Sequence, residues 1–216
     1  MNIWILRGLE VRETIRNSAV YQAYSNTRDM LRWRRRGYTA PSPDSVKHHC
    51  LRRNGLPDAI WVETGTFLGR TTEMLAKTAR QVYSIEPEPE LYERAAKRLA
   101  GLSNVQILNG TSEALFPTLL SELSGQVNFW LDGHYSAGAT YQADQDTPIR
   151  DELAAIAANK ANLSAIAVLV DDVRCFDPSQ PDYSAYPSID FLVDWARSND
   201  LLWHIEHDIF VARCKK

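Results

Sequence analysis

The chain has 216 residues, 44% of them hydrophobic and 24% charged, with ten glycines and ten prolines. That is the composition of an ordinary globular protein with a sizeable core, and it excludes fibrous and low-complexity classes. A net charge of −3 predicts no bulk attraction to nucleic acid, and no run approaches the ~20 apolar residues of a membrane span.

The charge is unevenly spread. Residues 1–55 carry a balance of +7 and residues 56–216 a balance of −10. The sequence therefore divides into a basic N-terminal helical segment, 1–55, and an acidic body, 56–216. The three cysteines, Cys50, Cys175 and Cys214, are far apart and form no CxxC pair. They suit a reducing cytosol and argue against a disulfide framework or a zinc cluster. The apolar run at residues 3–6 is too short for a signal peptide. A cytoplasmic protein is expected.

Residues 1–37 mix apolar side chains with arginines at loosely helical spacing and end in Arg34-Arg35-Arg36. Pro41-Ser42-Pro43-Asp44 then stops one helix and starts another, which runs to about Arg53 and closes at Asn54-Gly55. From residue 59 short apolar runs alternate with amphipathic stretches. Strands are predicted at 59–63, 81–86, 105–108, 127–132 and 165–171. Helices are predicted at 70–79, 89–100, 112–123 and 147–159. Short strands separated by helices of about ten residues imply a parallel sheet with right-handed crossovers. After a helix near 188–197, the segments 201–206 and 209–214 are split by His207-Asp208 and read as an antiparallel hairpin. The predicted fold is Rossmann-like α/β.

Ligands of open parallel sheets bind at the carboxyl ends of the strands. The first strand runs into Glu63-Thr64-Gly65-Thr66-Phe67-Leu68-Gly69-Arg70-Thr71-Thr72, where two glycines let the backbone turn tightly and approach a ligand. A dinucleotide fingerprint would need glycine where Phe67 stands. A phosphate loop would need one more residue between the glycines and a lysine in place of Arg70, although Val170-Asp171-Asp172 imitates the acidic strand of such enzymes. The second strand discriminates. It ends on Glu86, 21 residues after Gly65, where an acid can accept both ribose hydroxyls. Adenosine binding is favoured.

These residues, together with Phe129-Trp130-Leu131-Asp132-Gly133-His134-Tyr135-Ser136, Asp146-Thr147-Pro148-Ile149 and Val170-Asp171-Asp172, resemble a bacterial group of class I S-adenosylmethionine-dependent methyltransferases. The resemblance spans about residues 41–197. It implies a seven-stranded doubly wound sheet, with Glu63, Gly65 and Gly69 around the methionine end of S-adenosylmethionine. Glu86 is then expected at the ribose and Thr111 and Ser112 at the adenine, with Thr66, Phe67, Thr71, Pro87 and Asp132 also expected to bind the cofactor. One departure is Gly110-Thr111-Ser112, where such proteins usually carry an acid in the middle position. Threonine accepts a hydrogen bond there without charge assistance.

A more distant resemblance is to metal-dependent O-methyltransferases of sugar and polyketide tailoring. It matches Asp132 after the fourth strand and Asp171-Asp172 after the fifth. Three converging carboxylates repel one another unless a cation or protons intervene, and oxygen-only ligands suit Mg²⁺. The implied activity is O-methylation of a small hydroxyl-bearing acceptor, such as a sugar or natural product, with Asp132 and His134 as candidate bases. His134 has two further readings, a metal ligand and a loop histidine. Residues 1–40 are expected to close over the acceptor cleft or to pack a homodimer. Two alternatives of other classes are a cofactor-binding protein without turnover, working through a partner, and a nucleotide hydrolase on a degenerate phosphate loop.

Overall fold

The computed structural model describes residues 19–133 and 147–215. Two units emerge, residues 1–47 and residues 48–216. In the first, helix α1 (Ala19–Arg35) ends at Gly37 and Tyr38, both with positive φ. Trp33 is its buried anchor. The indole lies edge-on to Tyr38, with ring centroids 5.0 Å apart, and its Nε1 donates to the Thr39 carbonyl at 2.9 Å. The arginines and the apolar Val20, Tyr24 and Leu31 of α1 are exposed or half-buried. Helix α2 (Asp44–Asn54) carries the chain into the second unit.

The second unit is built on β1 (Ile60–Thr64), α3 (Arg70–Ala76), β2 (Gln81–Glu86), α4 (Pro89–Leu99), β3 (Val105–Asn109), α5 (Ser112–Glu122) and β4 (Gly125–Leu131). It continues through α6 (Ile149–Asn159), β5 (Leu163–Val170), α7 (Ile189–Ser198), β6 (Leu201–Glu206) and β7 (Ile209–Cys214). The strands form one seven-stranded sheet in the order β3-β2-β1-β4-β5-β7-β6. The first five are parallel, and β7 runs antiparallel between β5 and β6. This is the predicted Rossmann-like α/β architecture with its C-terminal antiparallel hairpin. The hairpin turn is His207-Asp208, both at positive φ (50° and 69°), the backbone twist that matches two antiparallel strands.

Two apolar layers cover the sheet. Phe116, Leu120, Phe129, Leu153, Ile156, Val168 and Phe210 pack on one face. Leu51, Trp61, Met74, Leu75, Val82, Trp130, Leu169 and Val211 pack on the other. Val168 and Leu169 fall on opposite faces, as the continuous apolar run of β5 requires of a central strand. Each fully buried large side chain contributes roughly 1.5–3 kcal/mol. Buried Asn128 on β4 ties down the approach to β1: its Oδ1 accepts from the Leu56 amide at 2.8 Å and its Nδ2 donates to the Leu56 carbonyl at 3.0 Å.

Strand order reverses between β1 and β4, whose neighbours lie on opposite sides. The register pairs Thr64 with Ile85 on one side and Leu131 on the other. The residues that follow all three strands therefore emerge together at one sheet end, where ligands of such sheets bind.

Candidate functional site

The loop after β1 has left-handed backbone at Gly65 (φ 87°), Phe67 (φ 48°) and Gly69 (φ 71°). At Gly65 a Cβ would lie 2.5 Å from the Asp132 carbonyl oxygen, so only glycine lets the end of β4 approach. Phe67 adopts the left-handed region at a cost of order 1 kcal/mol. Its amide recovers part of this by donating to Glu86 Oε2 at 2.7 Å. Gly65 and Thr66 both donate backbone bonds to the Ile85 carbonyl, at 3.0 and 3.2 Å. Thr66 Oγ1 also lies 2.6 Å from Ser84 Oγ. Arg98 on α4 donates to the Leu68 carbonyl at 2.9 Å and pairs with Glu73. The glycine loop is thus fixed from β2 and α4 before any ligand arrives.

Two acids serve this loop differently. Glu86 is 3% exposed and holds two amides, Phe67 on Oε2 and Glu88 on Oε1 at 3.1 Å. Burial raises its pKa, and those two amides oppose the shift. Each carboxylate oxygen has a further lone pair, so Glu86 can still accept from a ligand. Pro87 follows it, and Asn109 Nδ2 anchors the Glu86 carbonyl at 2.8 Å. Glu63 is buried on the α3 side of the sheet. Its Oε2 accepts from Thr72 at 2.5 Å and Ser84 at 2.7 Å, while Oε1 has no hydrogen-bond partner. Burial pushes its pKa up to about 7, against the pull of the Thr72 and Ser84 hydroxyls.

The other predicted residues fall around the same end. Thr71, in the first turn of α3, meets His48 Nε2 at 3.2 Å, which brings a histidine against the glycine loop. Thr111 is extended and precedes α5 without a side-chain cap bond, and Ser112 behind it is buried. Asp132 follows β4 and donates its amide to the Thr64 carbonyl at 3.2 Å. His134 lies outside the described residues.

Asp132, Asp171 and Asp172 come together: each offers a carboxylate oxygen within 4.8 Å of the others. Arg174, which belongs to no motif of the sequence, also serves this cluster. Its Nη1 lies 2.5 Å from Asp172 Oδ1 and also pairs with Asp208 on the β6–β7 turn. Asp208 further accepts from the Arg174 amide at 2.9 Å. The guanidinium compensates part of the charge of Asp172, so the cluster demands less of a divalent ion than three bare carboxylates would.

A second unforeseen residue is Glu152 on α6. It is 2% exposed, and its Oε1 has no hydrogen-bond partner. Burial pushes its pKa up to about 7, against the nearby Ser112 and Thr64 hydroxyls. The signal was present in the sequence. Ile149, Glu152, Leu153 and Ile156 follow the i, i+3, i+4, i+7 pattern of a core-facing stripe, and a carboxyl within it is out of place.

These two buried acids give stability a pH dependence. Between the ordinary carboxylate value of 4.5 and about 7, the folded chain keeps protons on Glu63 and Glu152 that the unfolded chain has released. Their contribution is complete below 4.5 and is lost as pH rises through about 7, on the order of 1.4 kcal/mol per unit of displacement. The melting temperature is expected to fall from about pH 5 to about pH 8. The fall should flatten in Glu63→Gln and in Glu152→Gln; variant curves parallel to the wild type would contradict the assignment.

No family model matches the sequence, and no curated protein matches it. Solved structures do match the fold. The N-methyltransferase NodS from Bradyrhizobium japonicum WM9 is 15% identical, with 79% of this chain and 94% of that chain covered at a TM-score of 0.53. Its complex with S-adenosylhomocysteine is 17% identical, covering 77% and 84%, at 0.51. A Streptococcus mutans protein in complex with S-adenosylhomocysteine is 15% identical, covering 81% and 98%, at 0.50. The 23S rRNA methyltransferase ErmE is 15% identical, covering 81% and 68%, also at 0.50. The seven-stranded sheet described above is the Rossmann-like fold of class I S-adenosylmethionine-dependent methyltransferases.

Proposed function

We propose that the chain transfers the methyl group of S-adenosylmethionine to a hydroxyl of a small acceptor, a sugar or natural product. The observation that carries the cofactor is the strained glycine loop at the end of β1, held by an acid at the end of β2. That arrangement offers backbone close approach and a carboxylate for a ribose diol, and it has no lysine for phosphates. Glu86 and Pro87 take the ribose side, Thr111 and Ser112 the adenine side. Gly65, Thr66, Phe67, Gly69 and Thr71 surround the methionine end, with the charge of Glu63 facing a cationic ligand.

The sulfonium is already a strong leaving group. The chain must place the acceptor oxygen in line with methyl carbon and sulfur, and must remove the hydroxyl proton. The O–C bond forms as the C–S bond breaks, sulfur keeps the electron pair, and S-adenosylhomocysteine leaves. His134, two residues past Asp132, takes the proton in this reading, with Asp132 at the end of β4 the competing base. The gathering of Asp132, Asp171 and Asp172 supports a divalent ion such as Mg²⁺, whose chemistry when bound is to lower the pKa of an acceptor hydroxyl and fix its direction. Residues 1–40 are assigned to covering the acceptor or to pairing with a second copy.

A second reading, an RNA acceptor, is favoured by one observation: Arg32, Arg34, Arg35 and Arg36 are exposed around the end of α1. Methyl-labelled S-adenosylmethionine separates the two. Label is expected to pass to hydroxyl-bearing small molecules, with the rate abolished by EDTA and restored by Mg²⁺. Label entering RNA, with binding that weakens steeply with salt, would replace the small-molecule reading. Full turnover in EDTA would remove the ion and leave Asp132 or His134 as a simple base.

A further inference from the structure

Helix α1 carries its apolar side chains on the outside. Val20 is 81% exposed, Tyr24 64% and Leu31 52%. At about 3.6 residues per turn, positions 20, 24, 27 and 31 fall in one stripe along the helix. Thr27 completes it, with its hydroxyl turned back to the Ala23 carbonyl at 2.9 Å. The buried Trp33 lies on the far side of the helix. Single exposed apolar residues are ordinary, but a contiguous stripe marks a contact surface.

Cations border the stripe. Arg28 and Arg35 follow one edge of it and Arg34 the other, with Arg32 further round. Against these four arginines α1 has one acid, Asp29. Asp29 sits away from the stripe and is already engaged, by Arg28 at 3.1 Å and Arg32 at 3.9 Å. Arg34 and Arg35 are exposed. A partner for this face must accept apolar side chains and arginines together.

We propose that α1 docks on an anionic phospholipid surface. Val20, Tyr24 and Leu31 enter the boundary between headgroups and acyl chains, while the arginines reach the lipid phosphates on their long stems. Charge and apolarity together separate this from two other occupants. A second copy meeting the same stripe about a two-fold axis brings the arginines no new carboxylate, because its Asp29 is engaged within its own helix. A single-stranded RNA satisfies the arginines but gains nothing from Val20 and Leu31. The Trp33 face stays available for the covering role given above to residues 1–40. Docking of this kind goes beyond methyl transfer and is read without cofactor or acceptor, so the two readings fail separately.

The test is flotation of the full chain with lipid vesicles. The chain is expected to float with vesicles of equal parts phosphatidylcholine and phosphatidylglycerol, not with phosphatidylcholine alone, and rising salt is expected to release it. Tyr24→Ser combined with Leu31→Gln is expected to bind the anionic vesicles ~10-fold or more weakly, because most of the stripe is gone. Arg34→Gln combined with Arg35→Gln is expected to lose a similar factor, ~10-fold or more. Both variants should melt with the wild type, since all four side chains are exposed. Failure of the wild type to float with the anionic vesicles would overturn the assignment, as would unchanged binding in the Tyr24 and Leu31 variant. A melting temperature several degrees lower in that variant would show the stripe packed within the protein or a dimer, and would also overturn it. Tighter binding to a single-stranded RNA oligonucleotide than to the vesicles, indifferent to Tyr24 and Leu31, would give the surface to RNA instead.

Discussion

Asp171→Asn is expected to lower methyl transfer by ~10³-fold or more, several kcal/mol of barrier, while affinity for S-adenosylhomocysteine stays within twofold. The substitution keeps the shape of a side chain that is 3% exposed and removes one of the three charges that would hold a divalent ion. Asp171 follows the last residue of β5 and donates its amide to the Leu131 carbonyl at 3.0 Å, so its backbone position does not depend on the carboxylate. Asp172→Asn is a less clean experiment. It also strips Arg174 of one of its two carboxylate partners, and a lower melting temperature is expected along with the lost rate. Asp171→Asn at the wild-type rate would show that the cluster is a structural ion network centred on Arg174 and not a site for an activating ion.

Glu86→Ala is expected to weaken S-adenosylhomocysteine binding by ~10²-fold, the worth of about two hydrogen bonds to a charged acceptor. The change also reaches the fold, because the carboxylate holds the Phe67 and Glu88 amides. Their loss leaves two donors without partners and frees the left-handed turn at Phe67. A melting temperature several degrees lower is expected together with the affinity loss. Calorimetry at a temperature where the variant remains folded separates the two effects, and wild-type affinity there would refute the ribose assignment.

The elements of the candidate cofactor site were legible because they sit at strand ends, where the apolar pattern breaks abruptly. Gly65, Gly69 and Glu86 stand out against runs such as Val82-Tyr83-Ser84-Ile85, and the hairpin announced itself at His207-Asp208. The boundaries were less so. β4 begins at Gly125, two residues before its apolar run, because backbone pairing with β5 continues there through a register shift. Glu152 stands in the core-facing stripe of α6, but no local pattern tells which strand end that stripe meets. The Arg174–Asp208 pair depends on β7 lying next to β5, a neighbourhood that no local pattern encodes. Phe67 illustrates a different limit. Its left-handed backbone is imposed by the loop and by Glu86, against the preference of the residue itself.

Binding of S-adenosylmethionine in the cleft at the ends of β1, β2 and β4 is read by ligand-dependent melting. S-adenosylhomocysteine, ATP and NAD would each be added to the full chain at saturating concentration. A ligand present at a hundred times its dissociation constant adds ~2.7 kcal/mol, which for a chain of this size raises the melting temperature by roughly 5–10 °C. The expected result is a shift of that size with S-adenosylhomocysteine and none with ATP or NAD; a shift with ATP and none with S-adenosylhomocysteine would contradict the account and make the glycine turn a phosphate loop.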